Sequence, residues 1–266
     1  QNLMTVRVAQ TLGHQTLGDY VKKFGISKVA SIHPSAALGT GLTNLINLTS
    51  AYGMLVNGGR KITASMIERI QDKNGITIFK RDTRDCIKCI VKHYDGINPL
   101  PLDDSREQLV DPQSAYQIVS MLEGVVKRGT GKIVRDVGKT LGGKTGTTNG
   151  FLDAWFVGFS PDLAVGVFVG YDMPQSLGKK ESGGKVAAPI FRDFMMKSLE
   201  NSPAIPFRVP PGIQFIRIDR HTGERADQET KDVIVEAFRS DTEPFKNRKN
   251  FQQDFNEDTL LFREGL

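Results

Sequence analysis

Apolar positions recur at helical spacing three times in the N-terminal part of the chain. From Asn2 to Leu12, Leu3, Val6, Ala9 and Leu12 share one face and Gly13 stops the run, which predicts a helix. A second starts at Thr16, sets Leu17, Tyr20, Val21 and Phe24 on one side, and ends at Gly25, a residue suited to the left-handed turn after a helix. Thr43 to Val56 repeats the pattern through Leu45, Leu48, Tyr52 and Leu55, and Asn57-Gly58-Gly59 closes it. The period then changes. Ile67 to Phe79 carries short β-prone runs on either side of Asn74-Gly75, a dipeptide that accepts positive φ and so predicts a hairpin.

Residues 81–110 form an irregular connection rich in Asp and Pro. Asp111-Pro112 opens the next helix, with Asp as N-cap and Pro at the first helical position. Its apolar face is Ala115, Ile118, Val119, Leu122 and Val126, and it ends at Lys127-Arg128-Gly129. Between Leu141 and Tyr171 lie short strands with glycine-rich turns, among them Ala154 to Phe159 and Leu163 to Tyr171. A last helix covers about Val186 to Leu199. Helices cluster first and adjacent strands follow without strand–helix alternation, which predicts an α+β fold with a mainly antiparallel sheet flanked by helices. Residues 1–200 are expected to form one domain portion. Residues 201–266 are expected to form an extension, partly strand and weakly ordered from about Ser240.

Composition narrows the function classes only slightly. Thirty-five basic residues face 30 acidic ones in a chain of 266, for a net charge of +5, and no basic block of the kind that follows nucleic-acid phosphates is present. The longest apolar run, Leu163 to Tyr171, is about half of the roughly 20 residues a membrane-spanning helix needs. The two cysteines, Cys86 and Cys89, form a single Cys-x-x-Cys. With no second ligand pair and loop composition before it, a local disulfide or two plain thiols fits better than a zinc site or a redox motif.

One stretch carries chemistry, Gly142-Gly143-Lys144-Thr145-Gly146-Thr147-Thr148, and it admits two incompatible readings. Gly138 to Thr145 satisfies the phosphate-loop pattern G-x-x-x-x-G-K-[ST] letter for letter. Such a loop needs a buried strand before it and a helix after it, whose N-terminus meets the anion. Lys132 to Val137 is too charged for a central parallel strand, and Asn149-Gly150 after Thr148 signals a turn. In the other reading a Lys-Thr-Gly strand lines a serine acyl-transfer site: Gly143 and Gly146 allow close approach of a substrate, Lys144 supplies a fixed charge, and threonine hydroxyls hold a carboxylate.

The context of that stretch resembles class A penicillin-binding proteins. Gly143-Lys144-Thr145-Gly146-Thr147-Thr148-Asn149 is followed by Asp153-Ala154-Trp155-Phe156-Val157-Gly158-Phe159 and Ser160-Pro161-Asp162-Leu163. The same family is suggested by Asn2-Leu3-Met4-Thr5-Val6-Arg7, Ala37-Leu38-Gly39, Ser50-Ala51-Tyr52 and Val56-Asn57-Gly58-Gly59. Gly124-Val125-Val126, Gly129-Thr130-Gly131, Ser182-Gly183-Gly184 and Ala187-Ala188-Pro189-Ile190 extend the likeness over about residues 1–200. Phe207 to Gly212 and the Cys-x-x-Cys connection resemble Gram-negative members more weakly.

That resemblance implies a partial transpeptidase fold of the serine β-lactamase type, and a peptidoglycan D,D-transpeptidase acting through a serine acyl-enzyme. The family's catalytic elements are Ser-x-x-Lys, Ser-x-Asn and Lys-Thr-Gly. Lys144 begins the third. Asn2 would be the asparagine of the second, with Gln1 its variable residue. The nucleophile segment is expected upstream, since Ser65, Ser120 and Ser198 have no lysine three residues on. Catalytic roles are implied for Lys144, Thr147 and Asn2, and substrate-binding roles for Thr145, Gly146, Thr147 and Thr148. The implied partners are stem peptides (a D-Ala-D-Ala donor and an amine acceptor), β-lactams, and the upstream part of the same polypeptide, including a glycosyltransferase domain. Neither cofactor nor metal is implied. The expected location is the periplasmic side of the inner membrane, held by an N-terminal anchor.

Plainer roles account for the other polar and aromatic candidates. Trp155, Phe156 and Phe159 at strand spacing are expected in the core, Asp153 in a turn or ion pair, and His14, His33, His93 and His221 in loops without a carboxylate partner. A Glu-x-x-Leu-Asn element of the kind that primes deacylation in class A β-lactamases is absent between Asn2 and Lys144. A non-catalytic penicillin-binding sensor of the same fold is the alternative, and a nucleotide-binding protein the more distant one.

Overall fold

A computed structural model describes residues 2–28, 34–82, 104–240 and 242–244. The Cys86–Cys89 pair, His33, His93 and the stretch beyond Glu243-Pro244 lie outside the described residues.

The elements run α1 (Asn2–Leu12), α2 (His14–Lys23), α3 (Leu45–Val56), β1 (Arg69–Gln71), β2 (Thr77–Lys80), α4 (Pro112–Arg128), β3 (Gly142–Thr147), β4 (Asp153–Phe159), β5 (Ala164–Gly170), α5 (Ala187–Ser198), β6 (Ile213–Asp219) and β7 (Val233–Arg239). Short 3-10 turns cover Pro34–Leu38, Lys132–Val137 and Asn149–Phe151. Local chemistry sets the boundaries. Gly13, at φ 83°, both ends α1 and opens α2, which therefore starts at His14 rather than Thr16. Asn44 caps α3 by accepting from the Asn47 N–H at 2.8 Å, while the Thr43 hydroxyl turns back to the Ile26 carbonyl at 2.6 Å. Asp111 caps α4 as the sequence predicts, accepting from the Ser114 N–H at 2.9 Å.

The centre is an antiparallel sheet in the order β3-β4-β5, with β3 at one edge. Its two faces bury different residues. Ala154 and Phe156 of β4 join Val134, Ala187, Ala188, Phe191 and Met195, so α5 and the 132–137 turn cover one face. Phe159 packs with Val119, Phe207 and Tyr52, so α3 and α4 cover the other. The result is a three-layer α/β/α arrangement, the α+β class expected from the sequence. Contact is closest where glycines sit: a Cβ on Gly166 of β5 would lie 2.1 Å from Thr49 Oγ1 of α3.

Two small hairpins complete the fold. β1 and β2 pair around a turn in which Gly75 has φ 81°. β6 and β7 pair over their whole length and lie against α4. Gln117 of α4 donates to the Ala237 carbonyl at 3.1 Å, Gln113 to the Pro211 carbonyl at 2.8 Å, and Tyr116 meets Phe215 edge-on at 6.1 Å.

Candidate active site

The segment 142–147 forms a strand because β4 offers a complementary edge, and it is made of small residues because its neighbours leave no room. A Cβ on Gly142 would sit 2.9 Å from the Phe159 ring, and one on Gly143 would sit 2.9 Å from the Gly158 Cα. The register pairs Gly142 with Phe159 through Thr147 with Ala154, which brings Thr148 opposite Asp153. There the Thr148 N–H donates to the Asp153 carbonyl at 3.2 Å. Main-chain groups alternate in direction along an antiparallel strand. Gly142, Lys144, Gly146 and Thr148 therefore point toward β4, while the N–H and C=O of Gly143, Thr145 and Thr147 point to the unpaired edge.

The Lys144 side chain bends to that same edge, where its ammonium donates to the Thr145 carbonyl at 3.0 Å. No carboxylate pairs with it among the described residues. Partial desolvation of the ammonium lowers its pKa below the ordinary lysine value, although the side chain as a whole is solvent-exposed.

The Thr145 and Thr147 side chains share the sheet face covered by α5, and each is held by a neighbouring loop. Thr145 Oγ1 lies 2.9 Å from Thr130 Oγ1, in the Gly129-Thr130-Gly131 turn that follows α4. Thr147 Oγ1 accepts from the Gly183 N–H at 3.0 Å, from the turn that precedes α5. Gly183 fits only because it lacks a side chain: a Cβ there would be 2.3 Å from both the Gly146 and Trp155 carbonyls. Thr130 and Gly183 were not singled out as site residues from the sequence. The signal available was the glycines flanking each turn, which permit close approach to a strand.

Thr148 stands apart from the other threonines. Its hydroxyl accepts from the Asp153 N–H at 2.8 Å and closes the 148–153 turn. Asn2 is the first residue of α1, exposed, on a helix that packs against α2 and the 34–38 turn. Of the residues predicted for the site, Lys144 through Thr148 follow one another along β3 and its end, and Asn2 opens α1.

The flanks a phosphate loop requires are missing. Before the glycines stands the 132–137 turn with Gly138 at φ 68°, and after Thr148 come a 3-10 turn and β4 instead of a helix. No group of acidic, histidine or cysteine residues able to hold a metal occurs among the described residues.

One expectation needs correcting. The sequence itself contains two Ser-x-x-Lys matches, Ser176 to Lys179 and Ser182 to Lys185. Neither sits within a helix, where a lysine three residues on would lie beside the serine. Ser176 Oγ accepts from the Gly178 N–H at 3.2 Å, which closes its own turn. Ser182 is half-buried in the turn before α5, where its carbonyl accepts from the Lys185 and Val186 N–H groups, each at 2.9 Å, and the Lys185 side chain is exposed.

The family described as the penicillin binding protein transpeptidase domain matches residues 1–196. Penicillin-binding protein 1A of Rickettsia prowazekii is 42% identical over 242 residues, which cover 90% of this chain and 30% of that protein. Penicillin-binding protein 1A of Pseudomonas aeruginosa is 32% identical over 279 residues, covering 92% and 34%. Among solved structures, penicillin-binding protein 1A from Haemophilus influenzae superposes with a TM-score of 0.75 at 27% identity, covering 92% of this chain and 39% of that one. The penicillin-binding protein PonA1 of Mycobacterium tuberculosis, at 22% identity and a TM-score of 0.61 over 77% of this chain and 55% of its own, shares the fold. The chain spans about a third of the length of the curated relatives it matches.

Proposed function

The chain belongs to the penicillin-binding protein transpeptidase family, and from that premise we propose that it supplies the Lys-Thr-Gly wall of a peptidoglycan D,D-transpeptidase site. The nucleophile would be a serine on a Ser-x-x-Lys segment upstream of Gln1. Its Oγ attacks the carbonyl of a terminal D-Ala-D-Ala bond, the C–N bond breaks, and D-alanine leaves with the proton. The amine of a second stem peptide then attacks the acyl-enzyme, forms the cross-link, and returns the proton to the serine. β-Lactams would acylate the same serine.

The observation that carries this proposal is the gathering, at the free edge of β3, of the Lys144 ammonium, the outward N–H of Thr147, and the hydroxyls of Thr145 and Thr147. The Thr147 N–H would donate to the oxyanion together with the nucleophile's own N–H, one such donor contributing about 2.7–4 kcal/mol of transition-state stabilisation. Thr145 and Thr147 hydroxyls would grip the substrate's terminal carboxylate. Lys144, cationic and without an acid partner among the described residues, favours that anion through space. Gly146 lets the substrate backbone lie close to the strand, and Thr148 shapes the turn at its end. Asn2 would orient the substrate amide once the upstream serine segment lies against α1. The site would work at the periplasmic face of the inner membrane, in a polypeptide that also holds a glycosyltransferase domain and an N-terminal anchor.

Fluorescent penicillin tests the assignment. The 266-residue chain should remain unlabelled, and a polypeptide extended upstream through Ser-x-x-Lys should be labelled and should cross-link stem peptides. Labelling of the chain alone, lost on Ser182→Ala or Ser176→Ala, would move the nucleophile into these residues and end the proposal. Labelling without cross-linking by the longer polypeptide would make it a penicillin-binding sensor.

A further inference from the structure

The mechanism above leaves one hydroxyl at the site unused. Thr130 Oγ1 lies 2.9 Å from Thr145 Oγ1, and the surrounding backbone fixes where that hydroxyl stands. The Gly129 and Gly131 N–H groups both donate to the Val125 carbonyl, at 3.0 and 3.1 Å, clamping the turn onto the end of α4. A Cβ on Gly129 would lie 2.9 Å from the Val125 Cα, so the turn closes only with glycine. On its other side the Thr130 carbonyl is 3.2 Å from where a Gly184 Cβ would be. That same position is 3.6 Å from Thr145 Cγ2, so the Thr145 methyl faces Gly184 and its hydroxyl faces Thr130. A β-branched side chain held this way has one rotamer.

A threonine hydroxyl has a single proton. If Thr145 gives it to Thr130, it can offer a carboxylate only lone pairs, which repel the anion. If Thr130 donates instead, Thr145 is free to donate outward. We propose that Thr130 is a positioning residue, which orients the Thr145 hydroxyl so that its proton points at the substrate's carboxylate. The inference rests on the role proposed for Thr145. The bound anion polarises the pair in the order Thr130 hydroxyl, Thr145 hydroxyl, carboxylate, and no proton is transferred. Thr130 touches neither the scissile bond nor the acyl group, so its influence follows the substrate's charge rather than its reactivity.

The experiment uses the full-length protein that carries the nucleophile, and compares acylation by benzylpenicillin with acylation by its methyl ester, in which the carboxylate is masked. The readout is the ratio of the acid rate to the ester rate, which a general loss of folding or of nucleophile reactivity leaves unchanged. Thr130→Val, which keeps the shape and removes the hydroxyl, should lower the ratio about tenfold, the usual scale for a hydrogen bond to a charged group. Thr130→Ser, which keeps the hydroxyl, should restore it to within about twofold of the parent. An unchanged ratio in Thr130→Val overturns the inference, whether or not both rates fall. Thr145→Val separates the inference from its premise. If that variant lowers the ratio and Thr130→Val does not, only the positioning role fails. If it leaves the ratio unchanged, the carboxylate role of Thr145 fails and the role of Thr130 fails with it.

Discussion

The Gly183 N–H donates to Thr147 Oγ1 at 3.0 Å and ties the turn before α5 to the end of the strand that carries the Lys-Thr-Gly motif. The contact links two segments 36 positions apart, and it also commits one lone pair of the Thr147 hydroxyl. The proton of that hydroxyl, the part a carboxylate uses, stays available. On the same face Thr130 engages Thr145, so both threonines meet solvent with their side chains already oriented. Such preorganisation is what lets a surface strand act as a binding edge, because little rotamer entropy is left to lose when the anion arrives.

Gly183→Ala should therefore disturb both fold and site. The added methyl would lie 2.3 Å from two carbonyl oxygens, Gly146 and Trp155, and neither belongs to a flexible side chain. The loop must lift, and the Thr147 hydroxyl loses its donor. Thermal unfolding should show a loss of about 1–3 kcal/mol, the usual cost of overpacking. Acylation by a β-lactam in the full-length protein should fall by at least about tenfold. An alanine variant with parental midpoint and rate would show that the turn does not hold β3.

Lys144 gives the site a pH dependence of calculable sign. Desolvation lowers its pKa below the ordinary lysine value, so the ammonium loses its proton at a lower pH than a free lysine would. Acylation of the full-length protein by benzylpenicillin should accordingly decline with rising pH before the ordinary lysine value of 10.5 is reached. Lys144→Arg stays charged throughout and should remove that alkaline limb. Lys144→Ala should lower the rate by about 10- to 100-fold at neutral pH, the scale of a lost charge-assisted contact. A limb that persists in the arginine variant would assign it to another group.

Much of this was legible before the structure, and the parts that were not share a cause. The α4 boundaries followed from Asp111-Pro112 and Lys127-Arg128-Gly129, because a cap and a glycine act within a turn of chain. Lys144 to Thr148 stood out through a motif read in a row. Thr130 and Gly183 did not, since their roles exist only after β3 has been brought against two distant turns. The same holds for the order β3-β4-β5, in which Thr145 and Thr147 gain an open edge only because nothing among the described strands pairs with β3 on its far side. Ser176 and Ser182 show the reverse case. Their spacing to lysine satisfies a pattern whose chemistry needs a helix that neither occupies.

Gly166 supplies a test of the packing under the sheet. A Cβ there would come within 2.1 Å of Thr49 Oγ1, a hydroxyl that donates to the Leu45 carbonyl at 2.7 Å within α3. Gly166→Ala should destabilise by about 1–3 kcal/mol. Thr49→Ala removes the nearest clashing atom, leaving Leu45 Cδ1 at 2.9 Å from the added Cβ, and costs little alone, since its hydrogen bond stays within an already formed helix. The double variant should recover part of the loss, giving a coupling energy of about 0.5–3 kcal/mol. Strictly additive midpoints would mean that α3 and β5 do not meet at this pair.

The hairpin of β6 and β7 is held to α4 by an ion pair whose pH dependence runs opposite to that of most carboxylates. Arg128 donates to Glu236, and the two side chains are 32% and 18% exposed. Burial raises the Glu236 pKa, with Glu123 adding to the rise while Arg128 and Lys127 oppose it. An acid whose pKa is higher in the folded state takes up its proton more readily there, so folding gains as pH falls through the window above 4.5 and loses as pH rises through it. Glu236→Gln should flatten stability across that window. Arg128→Ala leaves the half-buried carboxylate without its cation, and should cost about 1–3 kcal/mol at neutral pH while steepening the same dependence. Cleavage by a protease within 213–239 reports on the docking directly. It should rise in Arg128→Ala at neutral pH and fall again on acidification. A cleavage rate that ignores both the substitution and the pH would show that the hairpin is held by its other contacts, among them Gln113, Gln117, Tyr116 and the Arg239–Asp111 pair.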